Sequence, residues 1–189
     1  MVKNILVVGA SAGGYNAITN LVSKLPEGLP AAIFVIIHLA KTSDSCVFKS
    51  HLEKCTNYKC QIPPDKEEIQ SGYIYLGQPD INMLIKPGMI QLVKGRKEKR
   101  WRPSIDVLFR SAAEAYGSSV TGIVLSGMMD DGTLGMLAIK QSGGMCIVQE
   151  PSEAEFSDMP LSVINHVDVD HRVPIDDMGY ILDDILSKK

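Results

Sequence analysis

The stretch Val7-Val8-Gly9-Ala10-Ser11-Ala12-Gly13-Gly14 decides how this chain is read. The apolar run Ile5 to Val8 leads into it and a helical pattern starting near Tyr15 leads out, so it reads as strand, tight turn and helix with one serine at the bend. Small residues flank Ser11 on both sides; glycine and alanine let the backbone bend sharply and let another group approach closely. The spacing Gly9-x-Ser11-x-Gly13 fits the nucleophile elbow, in which a serine hydroxyl stands at the top of a parallel sheet. A serine in such a turn also lies at a helix N-terminus, where free N–H groups can receive an oxyanion. Two plainer readings compete. Serine is favoured as the N-cap of a following helix. A dinucleotide fingerprint needs glycine where Ser11 stands and an acid at the end of the second strand; that strand ends in Ile37-His38.

Outward from this turn, strands alternate with helices. Lys3 to Val8 reads as the first strand and Tyr15 to Leu25 as a helix with Ile18, Leu21, Val22 and Leu25 on one face. Ala31 to His38 is a continuous apolar strand, the pattern of a sheet buried on both faces. Ser45 to Cys55 reads as a short helix on Val47, His51 and Lys54. Lys59 to Ile62, Gly72 to Leu76 and Met83 to Ile85 are short strand-like runs, and Met89 to Val93 follows the turn Lys86-Pro87-Gly88 as a hairpin arm. This middle part is expected to be an antiparallel excursion on the edge of the main sheet.

The second half resumes the alternation. Pro103-Ser104-Ile105-Asp106 opens a helix whose buried face carries Ile105, Leu108, Phe109 and Ala112. Val120 to Leu125 is another buried strand, followed by the small and acidic turn Ser126-Gly127-Met128-Met129-Asp130-Asp131-Gly132-Thr133. A helix from Leu134 to Gln141, a strand from Met145 to Gln149, a short helix from Met159 to His166, a strand at Val167 to Asp170 and a terminal helix from Asp176 to Ser187 complete the expectation. The pattern predicts an α/β fold: a doubly wound, mainly parallel sheet with an antiparallel hairpin at one edge, in a single domain over 1–189.

The totals exclude several classes. With 189 residues and 45% hydrophobic content the chain can bury a sizeable core. A net charge of −3 gives no general case for nucleic-acid binding. The longest apolar stretch, Leu29 to Ile37, is too short to span a bilayer, and no signal-peptide layout opens the chain, so a cytoplasmic location is expected. Cys46, Cys55, Cys60 and Cys146 form no Cys-x-x-Cys pair and read as incidental thiols, with no metal and no cofactor expected.

In an open α/β sheet the ligand sits outside the carboxyl ends of the strands. Three polar candidates fall there: Ser11 after the first strand, His38 at the end of the second, and Asp130 or Asp131 after the strand at 120–125. A serine hydroxyl needs a base, histidine titrates near neutrality, and a carboxylate fixes the histidine's tautomer. The order Ser, His, Asp departs from the Ser, Asp, His of α/β-hydrolases. Between the two aspartates the residue pattern alone does not choose. The basic segment Lys94-Gly95-Arg96-Lys97-Glu98-Lys99-Arg100-Trp101-Arg102 reads either as a solvated arm or as a patch for an acidic partner, the second reading helped by an exposed tryptophan.

Several blocks carry a resemblance. Gly9-Ala10-Ser11-Ala12-Gly13-Gly14, the strand ending in His38, Arg102-Pro103-Ser104-Ile105-Asp106-Val107-Leu108-Phe109, Leu125-Ser126-Gly127-Met128-Met129-Asp130-Asp131-Gly132, Gly72-Tyr73-Ile74-Tyr75-Leu76 and Met159-Pro160 resemble the catalytic domain of the chemotaxis receptor methylesterases, the CheB family. The resemblance implies hydrolysis of glutamyl methyl esters on receptor helices, with glutamine deamidation as a companion activity. It implies Ser11 as nucleophile, His38 as base, Asp131 (the aspartate directly before glycine) as the third member, and Met128 beside them. The N–H groups near Ala12 and Gly13 are expected to support an oxyanion, and the arm with Arg100 and Arg102 to dock on acidic receptor helices. The implied partners are methylated chemoreceptor helices. Members of the family commonly have threonine after the nucleophile and a polar residue before the histidine; here these are Ala12 and Ile37. The best-known members carry an N-terminal receiver domain, whereas this chain opens on its first strand. The resemblance therefore implies a stand-alone esterase, regulated in trans or not at all, or a piece of a larger protein. The alternative is a binding or signalling module on the same fold with little activity.

Overall fold

Strand β1 (Asn4–Ala10) is buried along its whole length, as its unbroken apolar run requires. The computed structural model describes residues 2–38, 45–95 and 101–187. β1 pairs in parallel with β2 (Ala31–Ile37), the two joined by helix α1 (Gly14–Ser23). After α2 (Ser45–Leu52) come β3 (Lys59–Gln61) and β4 (Tyr73–Leu76), which extend the sheet in parallel beyond β2. β5 (Asn82–Lys86) and β6 (Met89–Val93) form the hairpin, and α3 (Ile105–Tyr116) leads back to β7 (Val120–Val124) on the free side of β1. α4 (Thr133–Gln141), β8 (Met145–Gln149), α5 (Asp158–His166), β9 (His171–Val173) and α6 (Ile175–Ser187) complete the order β3-β4-β2-β1-β7-β8-β9.

The period of two along each central strand splits its side chains between two apolar layers. Leu6, Val8, Ile33 and Val35 pack with Ile18 and Leu21 of α1 and with Met178 and Leu182 of α6. Ile5, Val7, Phe34 and Ile36 face the other way, onto Leu108, Phe109 and Ala112 of α3 and Met136 of α4. The chain leaves β1 for β2 on one side and later returns to β7 on the other. The carboxyl ends of β1, β2 and β7 therefore share the point where the winding reverses, which is where such sheets bind ligands.

The expected hairpin is present, but it forms its own two-stranded ribbon against α3, where Ser111 Oγ accepts the Ile85 N–H at 2.9 Å. The runs at Lys59 and Gly72 belong to the main parallel sheet; Ile74, Tyr75 and Leu76 are all buried, which a one-sided edge excursion would not require. α2 buries Ser45, Phe48 and Leu52 and leaves the expected Val47 in solvent. The last strand is His171–Val173, not 167–170: Asp170 is used as a turn, its carboxylate accepting the Cys146 N–H and the Lys140 ammonium.

Two aspartates tie α3 to α4 reciprocally. Asp131, just before α4, accepts the N–H groups of Ile105 (2.8 Å) and Asp106 (3.1 Å) at the start of α3. Asp106, fully buried in the first turn of α3, accepts those of Gly132 (2.9 Å) and Gly135 (2.7 Å) at the start of α4. Each carboxylate satisfies donors that a helix start leaves open and sits where the helix dipole favours negative charge. Replacing Asp106 by alanine strands two buried donors and is expected to cost about 2–5 kcal/mol, read as a lower denaturant midpoint.

Candidate active site

The turn that carries Ser11 is fixed by backbone bonds on both flanks. The Ser11 N–H donates to the Ser126 carbonyl at 3.0 Å, and the Ser11 carbonyl accepts from Gly14 N–H at 2.8 Å. The buried Ser126 hydroxyl donates to the Ala12 carbonyl at 2.8 Å and accepts the Phe156 N–H at 3.0 Å. Ser126 is itself held through its N–H by Gln149 Oε1 at 2.8 Å. Gly13 has φ of 70°, and a Cβ on it would lie 2.6 Å from Ser126 Oγ. Only glycine meets both demands. In a trans peptide the C=O and the next N–H point in opposite directions. Pinning the Ser11 and Ala12 carbonyls therefore aims the N–H groups of Ala12 and Gly13 away from those partners. Neither N–H has an acceptor among the described residues.

His38 follows directly on β2, its N–H held by the Ala10 carbonyl at 3.1 Å, so the pairing of β1 with β2 sets its place. Its Nδ1 is 3.2 Å from Ser11 Oγ and its Nε2 is 2.9 Å from Asp131 Oδ2. The side chains of His38 and Asp131 are each 1% exposed. The carboxylate only accepts, so Nε2 carries the proton and Nδ1 is left to accept from the serine.

Asp131 is the aspartate that meets His38; Asp130 is exposed. Its Oδ1 accepts from Ser104 Oγ and the Asp106 N–H, both at 3.1 Å, and its Oδ2 from the Ile105 N–H and His38. Burial by itself pushes this carboxyl upward. The hydrogen bond and charge of His38, with the N–H groups of Ile105 and Asp106, outweigh burial and hold it below the ordinary carboxylate range. The buried anion is thus kept ionised and fixed.

Among the other expected residues, Ala12 and Gly13 belong to the turn as described. Met128 is 49% exposed, in the loop between Gly127, whose backbone lies against Ser11, and Asp131. Arg102 makes no hydrogen bond to these residues: its guanidinium is spent on the Asp80 carboxylate and the Gly95 carbonyl. Trp101, whose exposure would have favoured the patch reading of the basic segment, lies flat on the His38 ring, with centroids 4.0 Å apart. Arg100 lies outside the described residues. The sequence reading missed Ser126 and Gln149, which support the turn, and the bond from Ser104 to Asp131. Of these only Ser104 had a signal, as a polar residue opening an apolar helical pattern.

No group of three or more His, Cys, Asp and Glu side chains among the described residues is arranged to hold a metal ion. A hydroxyl bonded to an imidazole whose far nitrogen meets a buried carboxylate is the arrangement that activates serine for acyl transfer. Because its folded-state pKa is lowered, Asp131 contributes stability above the ordinary carboxylate value of about 4 and loses it as pH falls through the lower folded value. The stability advantage of the wild type over Asp131→Asn is expected to be full at pH 7 and to shrink below about pH 4, read from denaturant midpoints across that range.

The chain matches the CheB methylesterase family over residues 6–182. A Leptospira interrogans protein, provisionally named a protein-glutamate methylesterase/protein-glutamine glutaminase, is 38% identical over 167 residues, covering 88% of this chain and 86% of that protein. A Methanosarcina barkeri protein-glutamate methylesterase/protein-glutamine glutaminase is 30% identical over 98% of this chain, which spans 53% of that longer relative. The crystal structure of the Thermotoga maritima CheB methylesterase catalytic domain superposes with a TM-score of 0.90 at 26% identity, covering 98% of this chain and all of the other. With an α/β sheet of the same architecture and family similarity along almost its whole length, this chain belongs to the CheB methylesterase family.

Proposed function

We propose that this protein is a serine hydrolase that removes methyl groups from glutamyl methyl esters on helical chemoreceptor proteins, with Ser11, His38 and Asp131 as its triad. The observation that carries the reading is the continuous hydrogen-bonded line from Ser11 Oγ through His38 to a buried Asp131, beside two N–H groups that have no acceptor among the described residues. Membership of a family whose relatives are named methylesterases supports the choice of substrate.

The steps follow from the bonds. His38 Nδ1 takes the proton of Ser11 Oγ as the oxygen attacks the ester carbonyl, and the imidazolium is held by the ionised Asp131. The N–H groups of Ala12 and Gly13 receive the tetrahedral oxyanion. The imidazolium returns its proton to the departing methoxide, which leaves as methanol, and the glutamyl group stays esterified to Ser11. Water, deprotonated by His38, then attacks this ester and releases the glutamate carboxylate and the free serine. The same acyl-enzyme forms from a glutamine side chain with ammonia as the leaving group, which accounts for the second activity in the relatives' names.

Purified protein given a methyl-esterified receptor domain is expected to release methanol, and Ser11→Ala to lower the rate by at least about 1,000-fold with the fold intact by circular dichroism. Ester and amide hydrolysis are expected to fall together. Full turnover by Ser11→Ala would exclude this mechanism.

A further inference from the structure

Trp101 is parallel to the His38 imidazole, with an interplanar angle of 6° and centroids 4.0 Å apart. We propose that Trp101 is a positioning residue for the reaction, a plate that holds the imidazole in the one plane where both of its nitrogens meet their partners; this rests on the triad reading above. Hydrogen bonds to an imidazole are directed in the ring plane, and the torsion that sets this plane is broad and supplies no sharp well of its own. His38 is fixed at Nε2 by the short bond to Asp131, but its bond to Ser11 Oγ is the longer one at 3.2 Å. A ring tilted about the Asp131 bond loses the serine first. The flat indole opposes that tilt.

The indole is itself anchored from its own backbone. The next residue, Arg102, forks onto Asp80 Oδ1 with Nε and Nη2, caps the Gly95 carbonyl with Nη1, and accepts the Asp80 N–H at 3.0 Å through its carbonyl. Two residues further on, the Ser104 N–H is fixed by Asn82 Oδ1 at 3.0 Å. The cationic residue that looked like a docking group thus serves to place the tryptophan. The aromatic face also lies against the ring that becomes imidazolium in each half of the reaction, and π faces attract cations. Support that grows as charge develops stabilises the transition state more than the bound substrate, so its loss appears in kcat and not in KM.

The chain has one tryptophan, so its emission reports this one stack. At one fixed pH the stacked imidazole is expected to quench this emission, and His38→Gln to change its intensity. With the methyl-esterified receptor domain, Trp101→Ala is expected to lower kcat roughly 10- to 100-fold, the scale of a small misplacement of a reacting group, while KM stays within about twofold. Trp101→Phe is expected to restore most of kcat. An unchanged kcat in Trp101→Ala, a raised KM at constant kcat, or the same emission intensity in His38→Gln each overturns the inference. The two readings separate through Ser11→Ala. If that variant is dead while Trp101→Ala is fully active, the triad stands and the positioning role falls. If Ser11→Ala keeps its activity, both fall.

Discussion

The carboxylate of Asp131 is the point on which the rest of this structure turns. It closes the start of α3, accepts the Ser104 hydroxyl and meets His38. A buried charge without partners is costly, and here every partner is a fixed donor. The helix start contributes two N–H groups and the favourable end of its dipole. Asp106 performs the reverse service for α4, so two of the helices that cover this face of the sheet are joined through each other's first turns. The loop from β7 to α4 is held by the fold itself, and the histidine partner comes already placed.

The sheet supplies the other two positions. β1 lies between β2 and β7 in register, so residues just past their carboxyl ends fall side by side without any long loop to bring them together. Ser11 is tied across to Ser126 and His38 to Ala10, each through the backbone. The hydroxyl of Ser126 then fixes the Ala12 peptide, and with it the direction of the donor on Gly13. Ala12 itself contributes only backbone to this arrangement, through its carbonyl and its N–H. The turn is therefore held without a side-chain hydroxyl at that position.

What could be read from sequence followed from period and topology. Unbroken apolar runs at β1, β2 and β7 placed three polar residues at one end of a parallel sheet, and the structure brings Ser11, His38 and Asp131 within hydrogen-bond distance. Where the pattern was short it failed. β3 and β4 offer only three and four residues, too few to tell a parallel edge from a hairpin arm. The face of α2 was misread because its helical spacing was loose and one wrong apolar residue shifted it. The contacts of Trp101 and Arg102 were not legible for a different reason. A cluster of charge looks solvent-facing in sequence, while their partners, His38 and Asp80, are distant along the chain. Contacts made by single side chains across such separations leave no period to detect.

The central claim is that Ser11 becomes a nucleophile because His38 is held by Asp131. It is tested most directly by a fluorophosphonate, which reacts only with an activated serine, and peptide mass mapping of the adduct. The account predicts a single adduct on Ser11 in the wild type and none when His38 is replaced by glutamine. An unlabelled wild type, an adduct on another serine, or equal labelling of the His38→Gln variant would contradict it.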